Sequence, residues 1–280
     1  MVSALMAHLH GQRRNQDPFY IAWIDLWTKE DSGAHTNRGA MLTLSHAQRR
    51  AKELGYNIEV YRAATDGLGP SRLRQILMAR SQWAVIFPPV PEPAMRYELD
   101  MAGLSGVTIG TSLREPRIHR VSHNHFGGAR LACQKLREKG FRRIGFVLSP
   151  WNDERTDSKW RAAYLLEQEG YPPGERLPPL LVGSTGWKEF KRWFDLYQPD
   201  AILTSDAYVA DWLRRVEAPP VRIGWLGLSV FKKGIWGVDY CYGGLGAAAV
   251  ELLIGQVHRN ERGTPSLPHS LLIDGKWVEC

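Results

Sequence analysis

The chain has 280 residues, 44% hydrophobic and 23% charged, with a formal net charge of +7. That length holds one double-lobed domain or two smaller ones, and the composition excludes a disordered or fibrous class. No apolar run approaches the roughly 20 residues of a membrane helix, and the N-terminus lacks the apolar core of a secretory signal. Cys133, Cys241 and Cys280 are sparse, odd in number and without metal-pair spacing. The expectation is a cytoplasmic protein with no membrane partner and no disulfide framework. The positive charge fits either a polyanionic partner or an ordinary basic surface. The 11 tryptophans fit stacking platforms for a sugar or base, or large core residues.

In chain order, "YIAWID" (20–25) predicts a strand, 39–56 an amphipathic helix ended by Gly55, and 57–62 a strand. A helix over 71–80, a strand over 83–89, a helix over 93–104 and a strand over 106–110 follow. The piece 117–124 reads as extended, 126–141 as a helix and 143–148 as a strand. The alternation then restarts: helix 158–169, strand 179–182, helix 187–197, strand 200–205, helix 206–217 and strand 221–226. A strand, helix and strand close the chain at roughly 235–239, 242–257 and 269–274. Two such runs predict an α/β fold of two similar lobes, each a parallel sheet flanked by helices.

Four segments, in order, carry a resemblance. "GAMLTLSHAQRRAKELGYNIEVY", "HNHFGGARLACQKLREKGFRRIGFVL", "QPDAILTSDAYVADWLRR" and "VDYCYGGLGAAAVELLIGQVHRNERGTP" are similar to segments of the effector-binding core of LacI/GalR-type transcriptional regulators. The resemblance implies a periplasmic binding protein type I-like fold with the ligand cleft between the lobes. It implies an N-terminal lobe of residues 17–122 and 235–262, and a C-terminal lobe of 123–234 and 263–280. "VSALMAHLHGQRR" resembles the family's hinge helix, so residues 1–16 read as a hinge remnant, with Met6 and Leu9 as minor-groove residues. An apolar wedge there unstacks base steps and lets the kinked duplex meet more protein. No helix-turn-helix sequence precedes Val2, so operator DNA is expected as a partner only through that missing domain. A homodimer is expected by the same analogy, with 71–80 and 242–257 as candidate interface helices.

A cleft between such lobes lies at the carboxyl ends of the parallel strands. Loops there nominate Asp25, Trp27, Lys29, Pro88 and Ser112 in the first lobe. In the second they nominate Arg155, Asp157, Trp160, Arg161, Ser205, Asp206, Tyr208 and Asp239. Planar hydrogen-bonding groups beside an aromatic face suit a sugar ring, so a carbohydrate effector is the expected small-molecule partner. The family's usual Arg position falls near Ser158, and Arg155 or Arg161 stands as substitute. Its usual Asn-Asp pair is Ser205-Asp206 here. Asp206 fits a ligand contact or a helix N-cap equally. Trp160 and Trp187 fit the cleft or the core of their helices. His35, His123 and His125 lack metal-ligand spacing, so no metal site is expected.

The chain carries no P-loop, dinucleotide fingerprint, nucleophile elbow or zinc motif. No catalytic residue or cofactor is assigned, and the reading is not an enzyme, although spacing alone does not rule out a glycosidase carboxylate pair. A solute-binding protein of a transport system has the same fold and is the alternative.

Overall fold

A computed structural model of the chain describes residues 19–28, 38–216, 220–228 and 234–279. Met6, Leu9 and Lys29, and with them the hinge remnant, lie outside the described residues. The first lobe contains β1 (Phe19–Asp25), α1 (Arg38–Glu53), β2 (Tyr56–Arg62), α2 (Pro70–Ala79), β3 (Ala84–Phe87), β4 (Met95–Arg96), β5 (Ser105–Ile109), β6 (Leu113–Glu115) and β7 (His119–His123). The second contains α3 (His125–Glu138), β8 (Ile144–Leu148), α4 (Pro150–Arg155), α5 (Lys159–Glu169), β9 (Leu180–Leu181), α6 (Trp187–Tyr197), β10 (Ala201–Thr204), α7 (Ala207–Arg215), β11 (Arg222–Trp225) and β12 (Trp236–Asp239). The chain then returns to the first lobe for α8 (Tyr242–His258) and β13 (Ser270–Ile273), and ends on β14 (Lys276–Glu279) in the second.

Each lobe is built on a 6-stranded sheet. The first runs β2-β1-β3-β5-β7-β13 and is parallel throughout. The second runs β9-β8-β10-β11-β12-β14 and is parallel except for β14 against β12. The central strands β3, β5, β8 and β10 are buried at every residue. Helices cover both faces of such sheets, so these strands read as unbroken apolar runs rather than alternating ones. Ile21, Ile86, Val107 and Leu253 pack on the α1/α8 face, and Leu73, Leu77, Val85 and Leu104 on the other. In the second lobe Phe146, Tyr164 and Leu203 face α3 and α5, while Phe190, Trp193 and Trp212 pack under α6 and α7. Each such side chain contributes roughly 1.5–3 kcal/mol when fully buried.

The structure corrects three expectations. Residues 93–104 are not a helix. Met95 N donates to Ser112 O and Tyr97 N to Glu115 O, so this backbone pairs with the β6 segment. Tyr97, Leu99 and Met101 are buried while Glu98 and Asp100 are exposed, which is the period of two of an extended chain. The stretch 150–155, expected as loop, is the short helix α4, with Pro150 in its first turn and the Ser149 hydroxyl accepting from Asn152 N. β12 pairs in the second sheet and β13 in the first. The lobe boundaries therefore fall after Asp239 and after Ile273, not at 235 and 263. Against the first sheet lies α8. It buries Leu245, Val250 and Leu253 in the first lobe, and a Cβ on Gly246 would stand 2.0 Å from the Thr43 carbonyl oxygen of α1.

Candidate functional site

The second and first lobes meet where the carboxyl ends of their strands face each other. The β8–α4 junction is held from below by Asp206. Its carboxylate accepts from Ser149 N at 2.6 Å, from Ser149 Oγ at 3.2 Å and from Asn152 Nδ2 at 2.7 Å. Asp206 occupies the N-cap position of α7, yet its side chain makes no cap hydrogen bond. It fixes α4 instead, and α4 in turn presents Trp151 and Arg155.

Arg155 crosses between the lobes. Its Nη1 donates to Val90 O and, at 2.9 Å, to Pro91 O, both in the first lobe. Its guanidinium carbon lies 4.3 Å from the Trp151 ring centroid and 5.5 Å from that of Trp27. Such cation–π contacts hold a cation between lobes without an opposite charge. Among the described residues no carboxylate pairs with Arg155, and burial lowers its pKa to about 10. It stays charged at neutral pH. Two further ties cross the seam: Thr111 Oγ1 donates to Arg155 O, and Arg114 Nη2 lies 2.8 Å from Asp157 Oδ1.

The first-lobe wall is braced by its own loops. Trp27 Nε1 donates to Pro89 O at 2.7 Å, and Asp25 Oδ1 accepts from Trp27 N at 3.1 Å. Ser112 Oγ accepts from Val90 N at 3.1 Å, and Pro88 is buried beside it in sequence. Arg120 Nη2 donates to Leu113 O at 2.7 Å, and burial lowers its pKa, with the Arg114 charge second.

Several nominated residues spend their polar atoms inside the second lobe. Arg161 pairs with Asp153 at 3.0 Å and also donates to Ser158 Oγ, so of the two arginines only Arg155 reaches across. Trp160 is 6% exposed and its Nε1 donates to Tyr240 OH at 3.0 Å, which makes it a core residue. Tyr208 OH donates to Val182 O at 2.7 Å and its ring packs 4.7 Å from Trp212. Trp187 joins the same aromatic layer. Asp239 Oδ1 accepts from Cys241 N at the start of α8. The Ser205 hydroxyl oxygen is buried without a partner. Asp157 and Ser158 both adopt left-handed backbone, at φ 57° and 53°, in the tight turn that aims Asp157 at Arg114.

Beneath the seam lie the chain crossings. His123 stacks on Tyr240 at 4.5 Å and meets Tyr242 edge-on at 4.9 Å. His125 meets Trp160 edge-on at 5.0 Å. Burial, with a second contribution from neighbouring positive charge, holds His123 well below its usual pKa and lowers His125 to about 3. Gly128 makes room for this packing, since a Cβ there would stand 2.1 Å from Tyr240 OH. Asn124 links two crossings: its Nδ2 donates to Asp274 Oδ1 at 2.8 Å and its Oδ1 accepts from Gly127 N. Among the described residues no group of three or more His, Cys, Asp or Glu side chains is placed to hold a metal, and no helix is long and apolar enough to cross a membrane.

Trp151 and Arg114 escaped sequence reasoning, as did the packing of His123 and His125 against Tyr240. Trp151 follows a Ser-Pro pair, the start signal of the helix that places it beside Arg155. No comparable local signal brings Arg114 to Asp157.

The fold is that of the effector-binding core of LacI-type regulators, which is periplasmic-binding-protein-like. No protein-family model matches the sequence, and no curated protein matches it either. Solved structures do match. The trehalose repressor from Escherichia coli superposes with a TM-score of 0.67 at 16% identity, covering 94% of this chain and 100% of that one. The Cra transcriptional dual regulator from Pseudomonas putida, in complex with fructose 1-phosphate, gives 0.64 at 14% identity, over 93% and 98% of the two chains. A periplasmic binding protein/LacI transcriptional regulator from Alkaliphilus metalliredigens, complexed with D-xylulofuranose, gives 0.63 at 16% identity, over 93% and 97%. At these identities the likeness carries the fold.

Proposed function

We propose that this chain is the ligand-sensing core of a LacI-type DNA-binding transcription regulator. A small effector, a carbohydrate or a derivative of one, binds in the inter-lobe seam and sets the relative placement of the first lobes in a homodimer. The observation that carries this reading is the Arg155 crossing. A second-lobe cation reaches two first-lobe carbonyls between two indole rings, so anything bound there touches both lobes at once. A ligand with different affinity for the open and closed arrangements shifts their populations, which is the physical content of allostery here. Two of the structural neighbours carry fructose 1-phosphate and D-xylulofuranose, which supports a sugar-sized ligand. The reading assigns no turnover, no metal and no cofactor, and α2 and α8 are its candidate interface helices.

A thermal-shift screen against neutral sugars, sugar acids and sugar phosphates tests it. A ligand at 100 times its Kd adds about 2.7 kcal/mol to stability, a readily measured rise in melting temperature. Trp27→Ala is expected to abolish that rise while leaving the unliganded melting transition cooperative. Silence across all three classes, or chemical conversion of the bound sugar, contradicts the reading. Light scattering at tens of micromolar is expected to report a dimer, and a monomer favours the transport reading of the same fold.

A further inference from the structure

The hydrogen-bonding edges of Arg155 are used unequally. A guanidinium offers five N–H donors in a planar fork, and its Nε/Nη2 edge matches two oxygens of a carboxylate or phosphate. Here Nη1 alone serves Val90 O and Pro91 O, and both acceptors are neutral carbonyls. It also makes cation–π contacts with the Trp151 and Trp27 rings. The Nε/Nη2 edge has no partner among the described residues. The nearby charges do not neutralise it. Arg114 takes up Asp157, which also meets Lys159, and Arg120 adds a half-buried cation whose hydrogen bonds among the described residues are to carbonyls. Asp206 has three donors of its own, and Asp153 is paired with Arg161. Neither Nε nor Nη2 is among the buried polar atoms left without a partner, so this edge is open to solvent and free to take a bidentate anion.

We infer that the effector taken in this seam carries an anionic group, a phosphate or a carboxylate, which seats on the Nε/Nη2 edge of Arg155. This rests on the reading of the seam as the effector site and narrows the effector to an acidic sugar derivative. The guanidinium carbon lies 5.5 Å from the Trp27 ring centroid and 4.3 Å from that of Trp151, so a sugar ring attached to the anion has indole surface within reach.

Tryptophan fluorescence tests it with four probes on the purified protein: inorganic phosphate, glucose 6-phosphate, glucuronate and glucose. Phosphate is expected to give a saturable change, as is whichever of glucose 6-phosphate and glucuronate carries the preferred oxyanion, and glucose is expected to bind at least tenfold more weakly. Arg155→Gln is expected to lose about tenfold or more in anion affinity, the scale of a charge-assisted hydrogen bond. Arg155→Lys keeps the charge but lacks the fork, and is expected to fall between the two, which preserves the test if Arg155→Gln folds poorly. A stronger response to glucuronate than to glucose 6-phosphate identifies a carboxylate, and the reverse a phosphate. Glucose binding as well as its charged forms, or no anion response at all, or full anion affinity in Arg155→Gln, overturns the inference. In the first of these cases the carbohydrate reading survives. Phosphate binding that depends on Arg155, with no gain from an attached sugar, supports the anion seat and removes the support for a carbohydrate.

Discussion

The seam and the hinge beneath it join the same two lobes by opposite physics. The seam is charged: an arginine on carbonyl oxygens and indole faces, and an ion pair at Arg114 and Asp157 that is nearly half exposed on both sides, at 46% and 43%. The hinge is aromatic and neutral, with His123, His125, Trp160 and Tyr240 stacked and buried. Burial keeps the two imidazoles uncharged, whereas no burial of this degree discharges a guanidinium. The difference teaches that one junction is a neutral, buried aromatic packing and the other a polar contact whose charges are partly exposed. Under the proposed function both are needed, because closure has meaning only about a fixed axis.

That contrast breaks most visibly at Tyr240. Tyr240→Ala removes a fully buried ring and strands Trp160 Nε1, and is expected to cost about 3–5 kcal/mol in urea unfolding. If it costs no more than a seam substitution, the hinge is not the rigid element.

The next effect is the pH dependence. Unfolded imidazoles titrate near 6.5, but the folded protein holds His123 and His125 far lower. The unfolded chain therefore binds more protons between those values. Stability is fully present above about pH 6.5 and falls as pH drops toward about 3, by up to roughly 1.4 kcal/mol per pH unit for each histidine. A variant with His123→Phe and His125→Phe is expected to flatten that slope, measured by urea unfolding at pH 7 and pH 5. An unchanged slope locates the acid sensitivity in the carboxylates.

Arg155→Ala is expected to move stability by only about 1 kcal/mol in either direction, because lost hydrogen bonds offset relief from a buried charge. It should nevertheless increase the radius of gyration by X-ray scattering, as the lobes part. A compact variant contradicts the view that Arg155 ties them. Smallest of all, Asp157→Asn is expected to cost less than about 1 kcal/mol, as exposed ion pairs do.

The same contrast explains what the sequence displayed. Unbroken apolar runs such as "IGFVL" and "AILT" are strands whose burial is complete, and the alternation of strand and helix was legible from them. The span 93–104 misled because a helical reading passed over its period of two from Tyr97 to Met101, which is the signature of extended chain. Helix α4 was signalled by Ser149-Pro150 but masked by the polar residues around it. Lobe boundaries depend on which sheet a short strand joins, and four residues of β12 carry no address for that. In the candidate site, loop position nominated Trp27 and Arg155 alike with Trp160 and Tyr208, because a loop's place in the chain is visible and the direction of a side chain is not. The hinge was least legible: His123, His125, Tyr240 and Tyr242 come from segments more than a hundred residues apart and meet only through the crossings.

The central claim is that a small ligand is held between the lobes by the indole faces around Arg155. Isothermal titration with the best ligand of the thermal-shift screen, into wild type and into the Trp27→Ala, Trp151→Ala double variant, tests it most directly. The expected result is saturable one-site binding to wild type and a loss of at least about tenfold in the variant, with its unliganded melting transition still cooperative. Equal affinity in both proteins would place the ligand elsewhere and contradict the account.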